Sequence, residues 1–236
     1  MNTRLVVDKQ EGLKEFRPTG LAPQHPFVRV LARFFSYLFH PAFVPVYVVF
    51  FLVYIHPYFF SGFSSFDKVR TVGMSLVMYS LFPIVTVLLL KALDFISSIQ
   101  LATQKDRVIP LIACGIWYGW ICYVWWNNHK LSDGLSIPKE AVQFSLAVFL
   151  ASWLALMVNI KMKISLHAIS VGVMLAFIVL LALSQGLSFG IYISIALLIT
   201  GVVCTSRFVV SDHSPQEVYG GLAAGVAAML IANQFG

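Results

Sequence analysis

Residues 206–221, SRFVVSDHSPQEVYGG, form a polar stretch between two apolar segments near the C-terminus. Arg207 ends one hydrophobic run, His213 follows it, and Glu217 stands one helical turn later at the start of the next run. Ionisable residues at a membrane boundary indicate a functional site by default, because charge is costly to place in hydrocarbon. Residues 214–217, SPQE, also fit a helix capping box with proline at the first helical position, which gives this part a structural alternative.

The composition of the whole chain places this stretch in a membrane protein. Of the 236 residues, 59% are hydrophobic and only 11% are charged, which excludes an ordinary soluble domain. The net charge of +6 comes from basic residues in short loops and the N-terminal arm, without the stacking surface that nucleic acid requires. The three cysteines lie inside apolar runs and lack metal-site or redox spacing, so neither a bound metal nor a disulfide is expected.

The order of polar and apolar segments predicts three regions. Residues 1–25 mix charges with proline and glycine and are predicted to be a solvated arm. Residues 26–38 carry Arg29 and Arg33 four positions apart beside an apolar face, which is typical of an amphipathic helix at the membrane interface. Residues 39–236 are predicted to form an all-α, polytopic bundle of about seven transmembrane helices.

Seven apolar segments approach the length of about 20 residues that a helix needs to cross the hydrocarbon. The first four cover about 39–60, 71–93, 109–126 and 140–159, a fifth starts near 165, a sixth near 187, and the last covers about 215–234. A Ser-Gln-Gly turn at 184–186 makes the fifth and sixth a tight hairpin. Gly221 and Gly225 in the last segment predict a closely packed helix face.

Three polar clusters are predicted to meet on one side of the bilayer, because every second link between crossings emerges there. The first link contains Lys105 and Arg107, the second contains Ser165 and His167, and the third is the stretch quoted above. Together they bring cations, two imidazoles and a carboxylate to one place.

This set of side chains suits phosphoryl transfer without a metal ion or an organic cofactor. Lys and Arg neutralise phosphoryl oxygens, and free amides at the start of the fifth helix, around 165–167, favour an anion. One histidine can attack phosphorus, while the other protonates the departing alkoxide and later activates water. Glu217 is placed to hold the tautomer of the attacking imidazole.

The third cluster resembles a motif of the type 2 phosphatidic acid phosphatases, membrane lipid phosphatases that work through a phosphohistidine. The family motif is Ser-Arg, five residues, His, three residues, Asp. Ser206, Arg207 and His213 match it in type and spacing, and Glu217 stands in place of the Asp.

The other two family motifs are matched in part. The second, Pro-Ser-Gly-His, is represented by Ser165 and His167, with Ile164 and Leu166 at its proline and glycine positions. The first has Lys, six residues, then Arg-Pro, whereas the residues of that type here lie closer together: Lys105, Arg107 and Pro110. The resemblance covers about residues 95–225, is that of a divergent bacterial branch, and implies six spans, the number common in the family.

Carried over residue by residue, the resemblance implies that His213 is the nucleophile, His167 the general acid and Glu217 the residue that orients His213. It implies four ligands for the phosphate: Lys105, Arg107, Ser165 and Arg207. The expected substrate is a lipid phosphate or pyrophosphate monoester, in a multi-pass protein of a bacterial inner membrane. The other partners expected are membrane lipids, and no nucleic acid is expected.

Structural alternatives exist for several of these residues. Lys105 and Arg107 also fit ordinary juxtamembrane charges, and His167 fits a residue at a helix start. Asp94 and Asp106 fit solvated or ion-paired carboxylates better than metal ligands. The remaining histidines lie outside the motifs and receive no chemical role: His25, His40, His56 and His129. A rival function is a non-catalytic anion-binding membrane protein, either a transporter or a scaffold.

The distribution of basic residues predicts the orientation. With seven spans, twelve Lys and Arg residues lie on the side of the N-terminal arm and the three clusters, against four on the other side. Because cytoplasmic loops are enriched in these residues, the predicted site faces the cytoplasm. The resembling family usually acts on the outer face.

Overall fold

The computed structural model describes residues 4–8, 12–16, 25–101, 103–131, 136–185, 189–210 and 213–235. From residue 25 onward the described chain is helical, and its connections are short. The helices are α1 (Pro26–Leu38), α2 (Val44–Phe50), α3 (Ser65–Leu76), α4 (Phe82–Ala92), α5 (Gln104–Leu131), α6 (Lys139–Asn159), α7 (Leu166–Ser184), α8 (Gly190–Val210) and α9 (Pro215–Asn233). π-Helical turns extend α2 over Phe51–Ile55 and join α3 to α4 over Val77–Leu81.

Part of the N-terminal arm is a β-hairpin, to which the sequence analysis gave no regular structure. Strand β1 (Arg4–Asp8) pairs antiparallel with β2 (Gly12–Phe16), and Val6 stands opposite Lys14. β-Branched residues such as Val6 favour extended backbone, although two strands alone are only marginally stable in water. Residues 1–3, 9–11 and 17–24 of the predicted arm lie outside the described residues.

Five helical stretches are long and apolar enough to cross a membrane. They are Ser65–Ala92, Gln104–Lys130, Lys139–Asn159, Leu166–Ser184 and Gly190–Val210. The protein is therefore a multi-pass integral membrane protein built as a helical bundle. Residues 186–188, which include the end of the predicted turn at 184–186, lie outside the described part of the chain.

Two of the seven predicted segments are not among these five. The first, predicted over 39–60, is helical only over Val44–Ile55, because residues 41–43 form a turn and the backbone becomes extended at His56 before a proline. The last predicted segment is α9, which covers nearly the predicted residues. The polar Gln216 and Glu217 in its first turn make it less apolar than the five long stretches. This helix packs against α6 and α7.

Glycine lets α7 and α9 pack with their backbones in contact. A Cβ added at Gly225 would lie 2.1 Å from the carbonyl oxygen of Ile169, and one at Gly221 would lie 2.7 Å from that of Ser165. Gly172, on α7, is crowded in the same way by the backbone of α9. The closely packed face predicted at Gly221 and Gly225 is confirmed, and it fixes the start of α9 beside the start of α7.

Candidate functional site

His213 and Glu217 form a buried pair at the start of α9. The imidazole Nδ1 lies 2.8 Å from the carboxylate Oε2, and the two side chains are only 6% and 11% exposed. The same oxygen accepts a hydrogen bond from the backbone N–H of Ser214 at 3.1 Å, while Ser214 Oγ accepts one from the N–H of Glu217. The capping box is therefore present, and one carboxylate both caps the helix and contacts the imidazole.

This contact fixes the tautomer of His213. A carboxylate oxygen only accepts hydrogen bonds, so Nδ1 carries a proton and the neutral ring keeps its lone pair on Nε2. Burial lowers the pKa of His213 below its ordinary value, and the charges of Arg107 and Arg207 lower it further, against the opposing effect of Glu217. The ring is therefore neutral at neutral pH, with Nε2 available as a nucleophile.

Ser165 joins the two helix starts and does not leave its amide free. Its backbone N–H donates to the carbonyl oxygen of Glu217 at 3.1 Å, and its Oγ accepts from the N–H of Ala168, which makes it the N-cap of α7. Ser165 is fully buried. The expectation that its amide is free for an anion is wrong for this conformation, because the close α7–α9 packing supplies a carbonyl partner.

His167, in the first turn of α7, contacts the end of α1. Its Nε2 lies 3.1 Å from the backbone carbonyl oxygen of Ser36. Because a carbonyl only accepts, Nε2 is the protonated nitrogen. The ring of His40 stands edge to face against that of His167, with the centroids 5.3 Å apart, and His40 Nδ1 accepts from the N–H of Ala42.

Arg207, near the end of α8, also contacts Ser36 of α1. Its Nη1 donates to Ser36 Oγ at 3.1 Å. Burial lowers the pKa of His40, and the charge of Arg207 lowers it further. Arg207 and His167 contact the same residue, Ser36.

Arg107 lies on the first turns of α5, which begins earlier than the predicted third segment. Reciprocal hydrogen bonds of 2.8 and 2.9 Å between Gln104 and Asn159 tie this turn to the end of α6. Arg107 is buried, and donates to the carbonyl oxygens of Leu101 at 2.9 Å and Ile164 at 2.6 Å. Its position beside the start of α7 agrees with the predicted convergence of the first and second clusters.

Lys105 is placed differently. It is exposed on the first turn of α5 and, two residues before Arg107, stands about 200° around the helix from it. Its role as a phosphate ligand stays a prediction that this placement does not support. A helix starting at Gln104 puts the two cations on different faces, whereas the family motif separates them by more residues.

The two aspartates near this turn have structural contacts. Asp94 is exposed and lies 3.7 Å from Lys91, as expected for an ion-paired carboxylate. Asp106 is buried and accepts hydrogen bonds from the backbone N–H and the hydroxyl of Ser97, so the expectation of a solvated or ion-paired group is wrong there. In the described part of the chain, no group of three or more His, Cys, Asp or Glu side chains is placed to hold a metal ion.

Sequence reasoning missed Ser36 and His40. His40 received no role because it lies outside the motifs, yet it packs on His167. The available signal was topological, since the amphipathic helix was predicted on the same side as the three clusters. His56 and His129 lie elsewhere: His56 stacks on Phe59, and His129 is exposed beside the loop between α5 and α6.

No family model, no curated protein and no solved structure matches this chain. Function is therefore inferred from the arrangement of the side chains. One end of the bundle holds a carboxylate-paired imidazole, a second and a third imidazole, the buried guanidinium of Arg107 and the half-buried guanidinium of Arg207.

Proposed function

We propose that the protein is a membrane lipid phosphatase, which hydrolyses a lipid phosphate or pyrophosphate monoester through a phosphohistidine. The observation that carries this proposal is the pair of complementary histidines. His213 presents a lone pair on Nε2 because Glu217 holds the proton on Nδ1, whereas His167 presents a proton on Nε2. A nucleophile and an acid are the two groups needed to cleave a phosphate ester.

In the first step, His213 Nε2 attacks phosphorus and the bond from phosphorus to the ester oxygen breaks. His167, in its protonated form, gives its Nε2 proton to the departing oxygen, and a lipid alcohol leaves. The negative charge of the bound phosphate favours that protonated form. The phosphorylated imidazole of His213 keeps its Nδ1 proton and is positively charged, and the Glu217 carboxylate stabilises that charge.

In the second step, water attacks phosphorus and the bond between phosphorus and His213 Nε2 breaks. His167, now neutral, takes a proton from the attacking water and regains the form that starts the next cycle. Inorganic phosphate leaves, and His213 recovers its lone pair. Protons and electron pairs balance over the two steps, and no metal ion or organic cofactor takes part.

Two arginines are proposed to hold the phosphoryl oxygens. Arg207 is the better placed of the two, because its guanidinium already binds an oxygen, Ser36 Oγ, beside His167. Arg107 donates to two backbone carbonyls, so its remaining donors and its charge contribute. Lys105 and Ser165 are kept as weaker candidates, Lys105 because it is exposed and Ser165 because its amide is bonded to Glu217.

The decisive experiment is phosphate release from a panel of lipid phosphates and pyrophosphates by the purified protein in mixed micelles. We expect turnover of at least one of them, and its loss in His213→Ala. His129→Ala is the matched control, because it removes an exposed imidazole elsewhere. Activity of His213→Ala close to that of the unaltered protein would overturn the assignment.

Anion binding without turnover remains the second candidate function. Two observations favour it: Leu166 stands where the resembling motif has glycine, and Arg107 is committed to backbone carbonyls. Tight binding of a lipid phosphate without release of phosphate from any substrate would select this function. Two imidazoles beside a carboxylate favour turnover, since binding alone needs only the cations.

We also propose seven spans, in which the segment of residues 39–60, helical only over Val44–Ile55, and α9 cross beside the five long helices, in a bacterial inner membrane with the site towards the cytoplasm. The excess of basic residues on the side of the site supports this orientation. Single cysteines at Lys161, near the site, and at Phe66, in the first turn of α3, test it in a variant lacking the three native cysteines. An impermeant thiol reagent is expected to label Phe66→Cys and not Lys161→Cys in intact cells, and the reverse would place the site outside.

A further inference from the structure

Helix α1 has one face against the candidate site and one face that is exposed. Its buried residues are Ala32 and Ser36, and it packs against α8. Seven of its large apolar side chains are exposed: Phe27, Val28, Val30, Leu31, Phe34, Tyr37 and Leu38. With 13 residues α1 is too short to cross the hydrocarbon, and an exposed apolar face of this kind suits the membrane interface.

Two oxygens of Ser36 accept hydrogen bonds from the two side chains that are proposed to contact the phosphate ester. Its carbonyl oxygen accepts from His167 Nε2 and its Oγ accepts from Arg207 Nη1, each at 3.1 Å. In the proposed reaction, His167 faces the ester oxygen that leaves, and Arg207 faces an oxygen of the phosphoryl group. Both donors are therefore bound to one residue of α1 in this structure.

The end of α1 also resembles a phosphate in its electrostatics. Ser36 belongs to the last turn of the helix, where carbonyl groups lack intrahelical partners and carry partial negative charge. His40 follows within one turn and packs on His167. Since its Nδ1 accepts from the N–H of Ala42, its Nε2 carries the proton of the neutral ring and is a further hydrogen-bond donor on the ring that packs on His167.

We infer that the oxygens of Ser36 occupy the positions of two oxygens of the substrate's phosphate ester, so that the substrate binds between α1 and α8 in place of Ser36. The inference rests on the proposed function and deepens it, because it locates the phosphoryl group and adds His40 to its surroundings. The conformation described here is the closed one. A lipid substrate reaches the site from the interface as α1 shifts away from α8.

The first test measures the affinity of the purified protein for orthovanadate, a phosphate analogue whose binding needs no turnover. Ser36→Ala removes the hydroxyl that competes for Arg207 and leaves the carbonyl in place. Because loss of one hydrogen bond destabilises the closed state, we expect roughly two- to tenfold tighter binding. Tyr37→Ala, which alters the exposed face next to it, is the control and is expected to leave the affinity unchanged.

The second test follows α1 directly, in protein without the native cysteines Cys114, Cys122 and Cys204. The buried Ser36→Cys is expected to react slowly with a polar maleimide, and faster once orthovanadate displaces it. Arg33→Cys replaces an exposed polar residue of the same helix and is expected to react rapidly with or without orthovanadate.

These readouts separate the inference from the proposed function. Orthovanadate-dependent labelling in a protein that hydrolyses none of the lipid phosphates would support the inference and reject the phosphatase. Turnover together with labelling of Ser36→Cys that orthovanadate does not change would support the proposed phosphatase function and overturn the inference. Unchanged or weaker orthovanadate binding by Ser36→Ala would also overturn it, because Ser36 would then only support Arg207.

Discussion

Basic residues and histidines occur at both ends of the helix bundle, in different surroundings. Where α7 and α9 begin, Arg107 is buried and His213 is paired with a carboxylate. Where α5 ends and α6 begins, His129 and Lys139 are exposed, and Lys130 lies 4.4 Å above the ring of Trp126. Exposed charges at a membrane interface need no special support, whereas buried charges lose hydration that hydrogen bonds must replace.

The comparison indicates which cations are candidates for the proposed chemistry. Residue type alone does not identify these candidates, because Lys, Arg and His occur at both ends. At the site end, imidazole and guanidinium groups are bonded to a carboxylate, a hydroxyl and backbone carbonyls from several helices. A preorganised arrangement of this kind is what stabilises charge in a transition state.

The largest effect is expected from separating the two roles of Glu217. Glu217→Gln keeps a side chain that can cap α9 but removes the charge that orients His213 and stabilises its phosphorylated form. We expect turnover to fall by about 10⁴-fold, the scale seen when an orienting carboxylate is neutralised, with little change in thermal stability. Activity and circular dichroism melting in detergent measure the two effects.

Ser214→Ala is the matched variant for the same cap. It removes the hydroxyl that accepts from the N–H of Glu217 and is expected to cost about 1 kcal/mol of stability while reducing turnover far less than Glu217→Gln. The contrary result is that Glu217→Gln lowers stability as much as Ser214→Ala does and lowers activity only in proportion to the loss of folded protein. In that case Glu217 is a capping residue only, and the site end of the bundle has no more chemical function than the other end.

A smaller effect is expected from disturbing the packing that creates the site end. In Gly225→Ala the new methyl group would lie 2.1 Å from the carbonyl oxygen of Ile169, so α9 must move away from α7. We expect destabilisation by about 1–3 kcal/mol and reduced activity, because the contact between Ser165 and Glu217 is strained. Thermal unfolding in detergent measures the stability.

Gly220→Ala is the control for that variant, since nothing lies within 4 Å of its added Cβ. It is expected to stabilise α9 by about 0.5–1 kcal/mol through helix propensity. Equal behaviour of the two variants would show that the glycine contacts do not hold the site together.

The smallest effect concerns the protonation of His213. Burial lowers its pKa in the folded protein, so its contribution to stability is present above about pH 6.5, the value of an unperturbed histidine, and declines as the pH falls below it. We expect the NMR titration of ¹⁵N-labelled histidines to place His213 below that value, with His213→Ala providing the assignment. A midpoint above pH 6.5 would contradict the lowered pKa.

The sequence predicted the membrane bundle, the capping box and a closely packed face on α9 well, because each depends on local pattern: apolar length, the SPQE tetrapeptide and two glycines one turn apart. It overestimated the first segment, where Pro41 and Pro57 shorten the helix. It could not anticipate that Ser165 gives its amide to Glu217, because that contact depends on the distance between two helices.

Ser36 and His40 show a second limit of prediction. Neither lies in a motif, and they meet Arg207 and His167 only because α1 packs on α8. The amphipathic pattern predicted α1 itself but not that the side with Ala32 and Ser36 would rest on α8. Contacts between elements distant in sequence therefore account for most of what was missed.

The central claim, that His213 is a nucleophile, is tested most directly by trapping the phosphorylated protein. The protein is mixed with ³²P-labelled lipid phosphate, quenched with alkali within milliseconds to seconds, and analysed for bound label. We predict label that is stable to base and labile to acid, that is present in His129→Ala, and that is absent from His213→Ala. Label retained by His213→Ala, or turnover without any trapped label while His213→Ala remains active, would contradict the account.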